Sequence, residues 1–260
     1  MIFLTTQPLW LIGAVLLVPT TLLAMCGPVT VRRYVTLERL RANNEVAGFK
    51  FATVGVIFAV LLAFAIIIVW ERFNQADADV AKEAGAAATV LRLTRGLDAG
   101  HGGAISTATL AYLKVAIADD WPAMAQGTLS HTATETLTGI YGAVLKFHDF
   151  SANEALVIAE ILRNVDEIGD ARRARLVAAS GTVPSIIWMV LFTGAFITIG
   201  FTFFFGTANV RAQSLMSGAL AVLIFSGLLT IIAIDHPFAG TVHVGPEALN
   251  AVLEEFGATR

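Results

Sequence analysis

Charged residues are scarce in this chain. Only 14% of its 260 residues are Asp, Glu, Lys or Arg, whereas 56% are hydrophobic, and the mean hydropathy is +0.73. Soluble domains carry about 25% charged residues, so the composition excludes an ordinary soluble protein and predicts a membrane protein. The net charge of −3, without a cluster of Lys and Arg, gives no groove for nucleic-acid phosphates. We therefore expect no nucleic-acid partner.

Cysteine is limited to Cys26. One thiol cannot form an intrachain disulfide or a thiolate metal cluster, and its position at the edge of an apolar segment favours a small buried thiol. His131 lies one helical turn before Glu135, but no third ligand accompanies the pair. The sequence therefore predicts neither a metal site nor another cofactor.

The long apolar segments contain no ionisable residue. A helix needs about 20 apolar residues to cross the hydrocarbon core, and the segments of that length are residues 8–26, 51–70, 183–206 and 215–234. None contains Asp, Glu, Lys, Arg or His, although pumps and proton-coupled transporters keep such residues inside the bilayer. Charge-coupled transport and intramembrane enzyme chemistry are therefore disfavoured. A passive pathway or a membrane scaffold remains.

Most of the charge lies in residues 71–182, between the second and third spans. This alanine-rich block has helical patterning, so we predict an extramembrane helical domain. "SANE" at 151–154 is a capping box that starts a helix, and "DDWP" at 119–122 marks a helix break or restart with Pro122 early in the new helix. The predicted fold is an all-α membrane protein. Its parts are spans one and two with a basic loop (1–70), the helical domain (71–182), spans three and four (183–234) and a C-terminal tail with a short helix begun by Pro246 (235–260).

The second span is the best candidate for a pore wall. One face, the small-residue stripe, consists of Gly55, Ala59 and Ala63 and allows close helix packing. The next face, the apolar stripe, recurs at spacings of three and four and consists of Thr53, Val56, Val60, Phe64 and Ile67. An apolar wall can gate ions by dewetting, although packing against helices or lipid is the alternative. Since one copy of four uncharged helices offers no aqueous path, a pore requires a closed ring of copies.

Charged residues beside the spans have two interpretations each. Glu71 and Arg72 follow the second span, and we interpret them as an interfacial ion pair or, in a ring, as a pore exit that biases selectivity. Arg172, Arg173 and Arg175 precede the third span. They are interpreted as anchors for anionic headgroups or as groups that attract anions into a vestibule.

The segment "FAVLLAFAIIIVWERFNQ" (58–75) resembles the pore helix of the bestrophins, a family of pore-forming chloride channels with bacterial relatives. The resemblance implies that Phe64 is a neck phenylalanine and that Val60 replaces another, which widens the aperture or alters its selectivity. "DHPFAG" is similar to the family's turn after the fourth span and contains Asp235, Pro237, Phe238 and Gly240. No acidic run follows this turn, so the family's calcium clasp does not carry over.

"NEVAGF" (44–49), "DDWP" and "DHPFAG" look like a group of bacterial membrane proteins described as bestrophin-like. This resemblance covers most of the chain and agrees with four spans and a long helical insertion. It implies a homo-oligomeric, pentameric ion channel in the bacterial inner membrane, with small inorganic ions passing a hydrophobic neck lined by the second span. The alternative is a non-conducting membrane scaffold whose helical domain binds a partner protein.

The distribution of basic residues and the family resemblance favour opposite topologies. Basic residues near the membrane number six on each side: Arg32, Arg33, Arg39, Arg41, Lys50 and Arg211, against Arg72, Lys82, Arg163, Arg172, Arg173 and Arg175. The usual dominance of the first span would place the first loop inside. The resemblance instead implies that the termini and the helical domain are cytoplasmic, and the predicted topology follows the family.

Overall fold

The computed structural model describes residues 8–146, 151–181 and 183–257, which are largely helical and contain no β-strand. In chain order the elements are α1 (Leu9–Tyr34), α2 (Leu37–Ala42), α3 (Asn44–Leu93), a 3₁₀ turn (Thr94–Gly96), α4 (Ala99–Val115), a π-helical turn (Ala116–Asp120), α5 (Trp121–Ala125), α6 (His131–Leu145), α7 (Ala152–Ala178), α8 (Ser185–Thr202), α9 (Val210–Ile234) and α10 (Glu247–Gly257). They form two compact units. The membrane unit is 8–71 with 183–235, and the helical domain is 72–181 with 236–257.

Within the described ranges, four helices are long and apolar enough to cross a membrane. These are α1, α8, α9 and the apolar part of α3, which coincide with the four predicted spans. The all-α membrane fold predicted from the sequence is thereby confirmed. The main difference lies at the helix ends, because α1 continues to Tyr34 and α3 to Leu93, well past the apolar stretches that composition alone marks out.

Glycines bring α1 and α9 together in the membrane unit. A Cβ atom on Gly13 would lie 3.2 Å from a methyl of Leu229, and one on Gly218 would lie 2.7 Å from the side chain of Met25. The prediction of a buried Cys26 was wrong, because its side chain is exposed. Ala24 and Pro28, one turn apart, take the packed side of α1, so the residue midway between them points outward.

The core of the helical domain is formed by the second half of α3 together with α4, α6, α7 and α10. The "SANE" capping box is confirmed, since the side chains of Ser151 and Glu154 each accept a hydrogen bond from the other residue's backbone. Pro122 lies in the first turn of α5, directly after the π-helical turn. "DDWP" therefore lies where the π-helical turn ends and α5 begins, and the backbone stays right-handed helical at Asp120 and Trp121. The last helix begins directly after Pro246, as predicted.

Candidate functional site

The apolar stripe of α3 is exposed along its whole length. The exposed fractions are 64% for Val56, 48% for Val60, 60% for Phe64 and 50% for Ile67, and Thr53 is exposed as well. The opposite side of the helix is buried, with Phe58 at 5% and Val69 at 0%. Because two residues advance an α-helix by about 200°, Val60 points away from the side on which Phe58 packs. Within the membrane unit, the stripe faces away from α8 and α9.

Close helix packing inside the membrane unit uses large residues of α3 against glycines of its neighbours. A Cβ atom on Gly194 would lie 2.6 Å from the ring of Phe58, and one on Gly227 would lie 2.9 Å from Leu62. The small-residue stripe does not take part. A Cβ atom on Gly55 would meet nothing within 4 Å, and the other two members, both alanines, are exposed. Close packing of this stripe against another helix stays a prediction.

Glu71 and Arg72 are both exposed at the end of the apolar part of α3. They do not form the predicted ion pair with each other, since the salt bridges among the described residues do not include them. The physical reason is helical geometry, because successive residues point about 100° apart. The two charges therefore leave the helix in different directions.

The helical domain contains a buried ionic cluster of four side chains. Glu83, Asp120 and Arg175 have exposed fractions of 0%, and Arg172 has 5%. Arg175 donates from Nε to Glu83 Oε2 at 2.8 Å and from Nη2 to Asp120 Oδ2 at 3.2 Å. Arg172 donates from Nε to Asp120 Oδ2 at 2.7 Å and from Nη2 to Oδ1 at 3.1 Å. Two guanidinium groups and two carboxylates thus balance each other, as buried charges require.

Neutral groups complete the hydrogen bonding of this ionic cluster. The hydroxyl of Tyr112 donates to Glu83 Oε1 at 2.6 Å. Burial raises the pKa of Tyr112 well above its ordinary value, and the charge of Glu83 raises it further, so the hydroxyl remains a donor. Burial alone would lower the pKa of Arg175, but the Glu83 carboxylate holds it above its ordinary value. Arg172 also donates to the hydroxyl of Thr134 at 3.1 Å.

The interpretation of Arg172 and Arg175 as headgroup anchors or vestibule charges is wrong, because both are buried in this cluster. Only Arg173 is at the surface, with 74% of its side chain exposed and Asp170 as its partner. A signal for this was present in the sequence. The buried residues Ile161, Val165 and Ile168 recur at spacings of four and three, and positions 172 and 175 continue that series.

Glu83 and Asp120 were not among the residues predicted from the sequence. Glu83 lies three residues after the buried Val80 and four before the buried Ala87, so it occupies an inward position of α3. Asp120 is the last residue of the π-helical turn, where a register change makes periodicity a poor guide. Their arginine partners lie 92 and 52 residues further along the chain, and no local pattern predicts such pairings.

Trp121 joins the ionic cluster to the turn after the fourth span. Its Nε1 donates to the carbonyl of Val244 at 3.1 Å, and its ring meets Phe238 edge to face at 6.1 Å between centroids. The Val244 N–H donates to Pro237 O at 2.7 Å, which closes the turn, and Gly240 has a φ of 86° that favours glycine. The motifs "DDWP" and "DHPFAG" therefore contact each other in the helical domain.

Asp235, the first residue of "DHPFAG", belongs to the membrane unit. Its carboxylate accepts the backbone N–H of Val183 at 2.9 Å and so connects the end of α9 with the start of the α8 segment. Among the residues that the structure describes, no three His, Cys, Asp or Glu side chains converge as metal ligands.

Comparison with known proteins identifies the family. The Bestrophin-like domain matches residues 18–249, while no curated protein matches the chain. The solved structure of a bacterial Bestrophin homolog from Klebsiella pneumoniae, determined by Zn-SAD phasing, has a TM-score of 0.70 at 14% identity, covering 92% of this chain and 98% of that one. A point mutant of a Klebsiella pneumoniae Bestrophin homolog gives a TM-score of 0.69 at 16% identity, covering 94% and 98%. The structures share the fold, and the match over most of the sequence shows that this chain belongs to the Bestrophin-like domain family.

Proposed function

We propose that the chain forms a homo-oligomeric ion channel in which copies of α3 surround a hydrophobic neck. The observation that carries the proposal is the exposed apolar stripe on the side of α3 opposite its packed face. A membrane protein must cover such a face with lipid, with protein or with a pore. Membership of the Bestrophin-like domain family and the fold shared with bacterial Bestrophin homologs favour a pore. By resemblance, the ring is a pentamer.

Conduction through this neck is passive. The stripe contains no ionisable side chain from Thr53 to Ile67, so ions follow their gradient without a coupled proton. Val60 and Phe64, one turn apart, form the narrow apolar rings that control wetting. Because valine is smaller than the phenylalanine it replaces by resemblance, the ring at Val60 is the wider of the two.

The small-residue stripe is the surface on which neighbouring copies of α3 approach each other. Ala59 and Ala63 are exposed on one flank of the apolar stripe, and small side chains allow helix backbones to come close together in a bilayer. A ring built in this way is heterologous and closes by cyclic symmetry. Lipid covers the remaining apolar surface.

We further propose that the channel lies in the bacterial inner membrane, with the helical domain in the cytoplasm. The first loop is then periplasmic. In a Cys26→Ser background, Asn43→Cys should react with an impermeant thiol reagent added to intact cells. Labelling only after the cells are broken would reverse the topology.

A flux experiment in liposomes tests the channel. Purified protein should dissipate an imposed ion gradient, and Phe64→Ala should increase the flux because it widens the neck. Ile67 and Ile68 offer a matched pair, with exposed fractions of 50% and 47% on different faces. Ile67→Ala should change the flux and Ile68→Ala should not. Wild-type protein that leaves the gradient intact would favour the non-conducting scaffold, and equal effects of the pair would reject the assigned face.

A further inference from the structure

We infer that Glu71 forms a ring of carboxylates at the end of the neck and makes the pore prefer cations to anions. This inference rests on the proposed channel function and adds its substrate class. It also separates the roles of two adjacent residues of opposite charge, Glu71 and Arg72.

The position of Glu71 on α3 carries the inference. Val60, Phe64, Ile67 and Glu71 follow one another at spacings of four, three and four residues. Eleven residues turn a helix through about three full turns, so Glu71 lies on the same line as Val60. It is exposed, as are the other members of that line. Wherever the apolar stripe faces an ion pathway, Glu71 faces it too.

Arg72 lies elsewhere on the helix circumference. One further residue turns the helix by about 100°, which places Arg72 on the flank that carries Leu61 and Ile68. Its charge is therefore directed away from the line of the stripe. A screened charge at the side of a pathway affects passing ions less than a carboxylate that faces them.

Glu71 forms no salt bridge among the described residues. The next ionisable residue on the same line, eleven residues on, is Lys82, and its ammonium group is paired with Glu167 at 3.5 Å. Along the line of the apolar stripe, the first charge without a salt bridge is therefore negative. A ring of such carboxylates attracts cations and repels anions at the mouth of a narrow passage.

Reversal potentials measured across a planar bilayer with a steep KCl gradient test this inference. We expect the reversal potential of the wild-type channel to be displaced from zero towards the equilibrium potential of K⁺. Glu71→Gln should lower the K⁺/Cl⁻ permeability ratio at least about fivefold, because one unit charge at about 4 Å contributes about 1 kcal/mol even in water. Glu71→Lys should favour chloride. Arg72→Gln is the matched control and should change the ratio by less than Glu71→Gln.

The outcomes are distinguishable. Currents with an unchanged reversal potential in Glu71→Gln, or a wild-type preference for chloride, would overturn the role of Glu71 and leave the channel intact. A larger change of the permeability ratio in Arg72→Gln than in Glu71→Gln would show that Arg72, and not Glu71, controls selectivity at the pore exit, and would overturn the inference. Absence of current from well-folded wild-type protein would overturn the channel and, with it, the carboxylate ring. Because Glu71 is exposed, these variants should fold, and elution on size exclusion confirms the assembly.

Discussion

Arg175 stacks on Trp121, with its guanidinium carbon 4.4 Å from the centre of the indole ring. The same guanidinium group donates to Glu83 at 2.8 Å and to Asp120 at 3.2 Å. A fully buried cation is thus held by two carboxylates and an aromatic face. Its partners belong to α3, to the π-helical turn and to α5, so one side chain of α7 holds three elements of the helical domain.

Removing the charge of Arg175 should strongly destabilise the protein. Arg175→Leu leaves Glu83 and Asp120 buried with one guanidinium group between them, and breaking a buried ion pair costs about 3–5 kcal/mol. Arg173→Leu is the matched control on the same helix. Its exposed pair with Asp170 is worth less than about 1 kcal/mol. Denaturant unfolding in detergent measures both, and equal losses would contradict the cluster.

The double variant Glu83→Met/Arg175→Leu should be more stable than Arg175→Leu alone. It removes one charge of each sign, so the pair of Arg172 and Asp120 stays balanced. Replacement of a whole buried ion pair by apolar residues is often neutral. If the double variant is as unstable as the sum of the two single variants, the side chains are not coupled.

Trp121→Phe should loosen the C-terminal tail. The variant leaves the Val244 carbonyl without its indole donor, and a buried group without its hydrogen bond costs about 1–3 kcal/mol. Limited proteolysis within residues 239–246 should therefore become faster. Trp10→Phe, at a tryptophan that is 73% exposed, is the control and should leave the cleavage rate unchanged. An unaltered rate in Trp121→Phe would show that the tail is held by other contacts.

Much of this fold is encoded by local patterns. Length and apolar content give the spans, and the Ser151 capping box gives the start of α7. The ionic cluster is a different case, because a salt bridge between residues 83 and 175 depends on the packing of helices far apart in sequence. Apolar periodicity marks Glu83, Arg172 and Arg175 as inward positions. It does not say which carboxylate meets which arginine.

The candidate neck also has one feature that the sequence predicts and others that it does not. Spacing predicts that Val60 and Phe64 share a face of α3, and the structure adds that this face lies opposite the buried Val69. The contacts of Phe58 with Gly194 and of Leu62 with Gly227 were not predictable. They depend on which glycine of another helix lies at the same depth in the membrane unit. No local sequence pattern determines that depth.

Gly194→Ala should destabilise the membrane unit. Its Cβ atom would lie 2.6 Å from the Phe58 ring, and overpacking a filled interior costs about 1–3 kcal/mol. Gly200→Ala, on the same helix, has nothing within 4 Å of the added atom and should be tolerated. Thermal unfolding in detergent compares the two. Phe58→Leu combined with Gly194→Ala should recover part of the loss, and absence of recovery would argue against direct contact.

The stability of the helical domain should fall at alkaline pH, partly through Tyr141. Burial and a hydrogen bond to Asp166 raise the pKa of Tyr141 to about 12, whereas an unfolded tyrosine ionises near pH 10. The neutral hydroxyl therefore stabilises the fold fully below about pH 10, and this contribution disappears between about pH 10 and 12. The difference between the melting temperatures at pH 9 and pH 11 should be smaller in Tyr141→Phe than in wild type. An identical drop in both proteins would exclude this residue.

Thiol modification along α3 tests most directly whether the apolar stripe faces water in the assembled protein. In a Cys26→Ser background, single cysteines are placed at Val60 and Phe64 on the stripe and at Leu61 and Ile68 on the flank. We predict that a charged, water-soluble thiol reagent blocks liposome flux through Val60→Cys and Phe64→Cys and leaves Leu61→Cys and Ile68→Cys conducting. Block at the flank positions, with protection of the stripe, would contradict the assignment of this face to the pore.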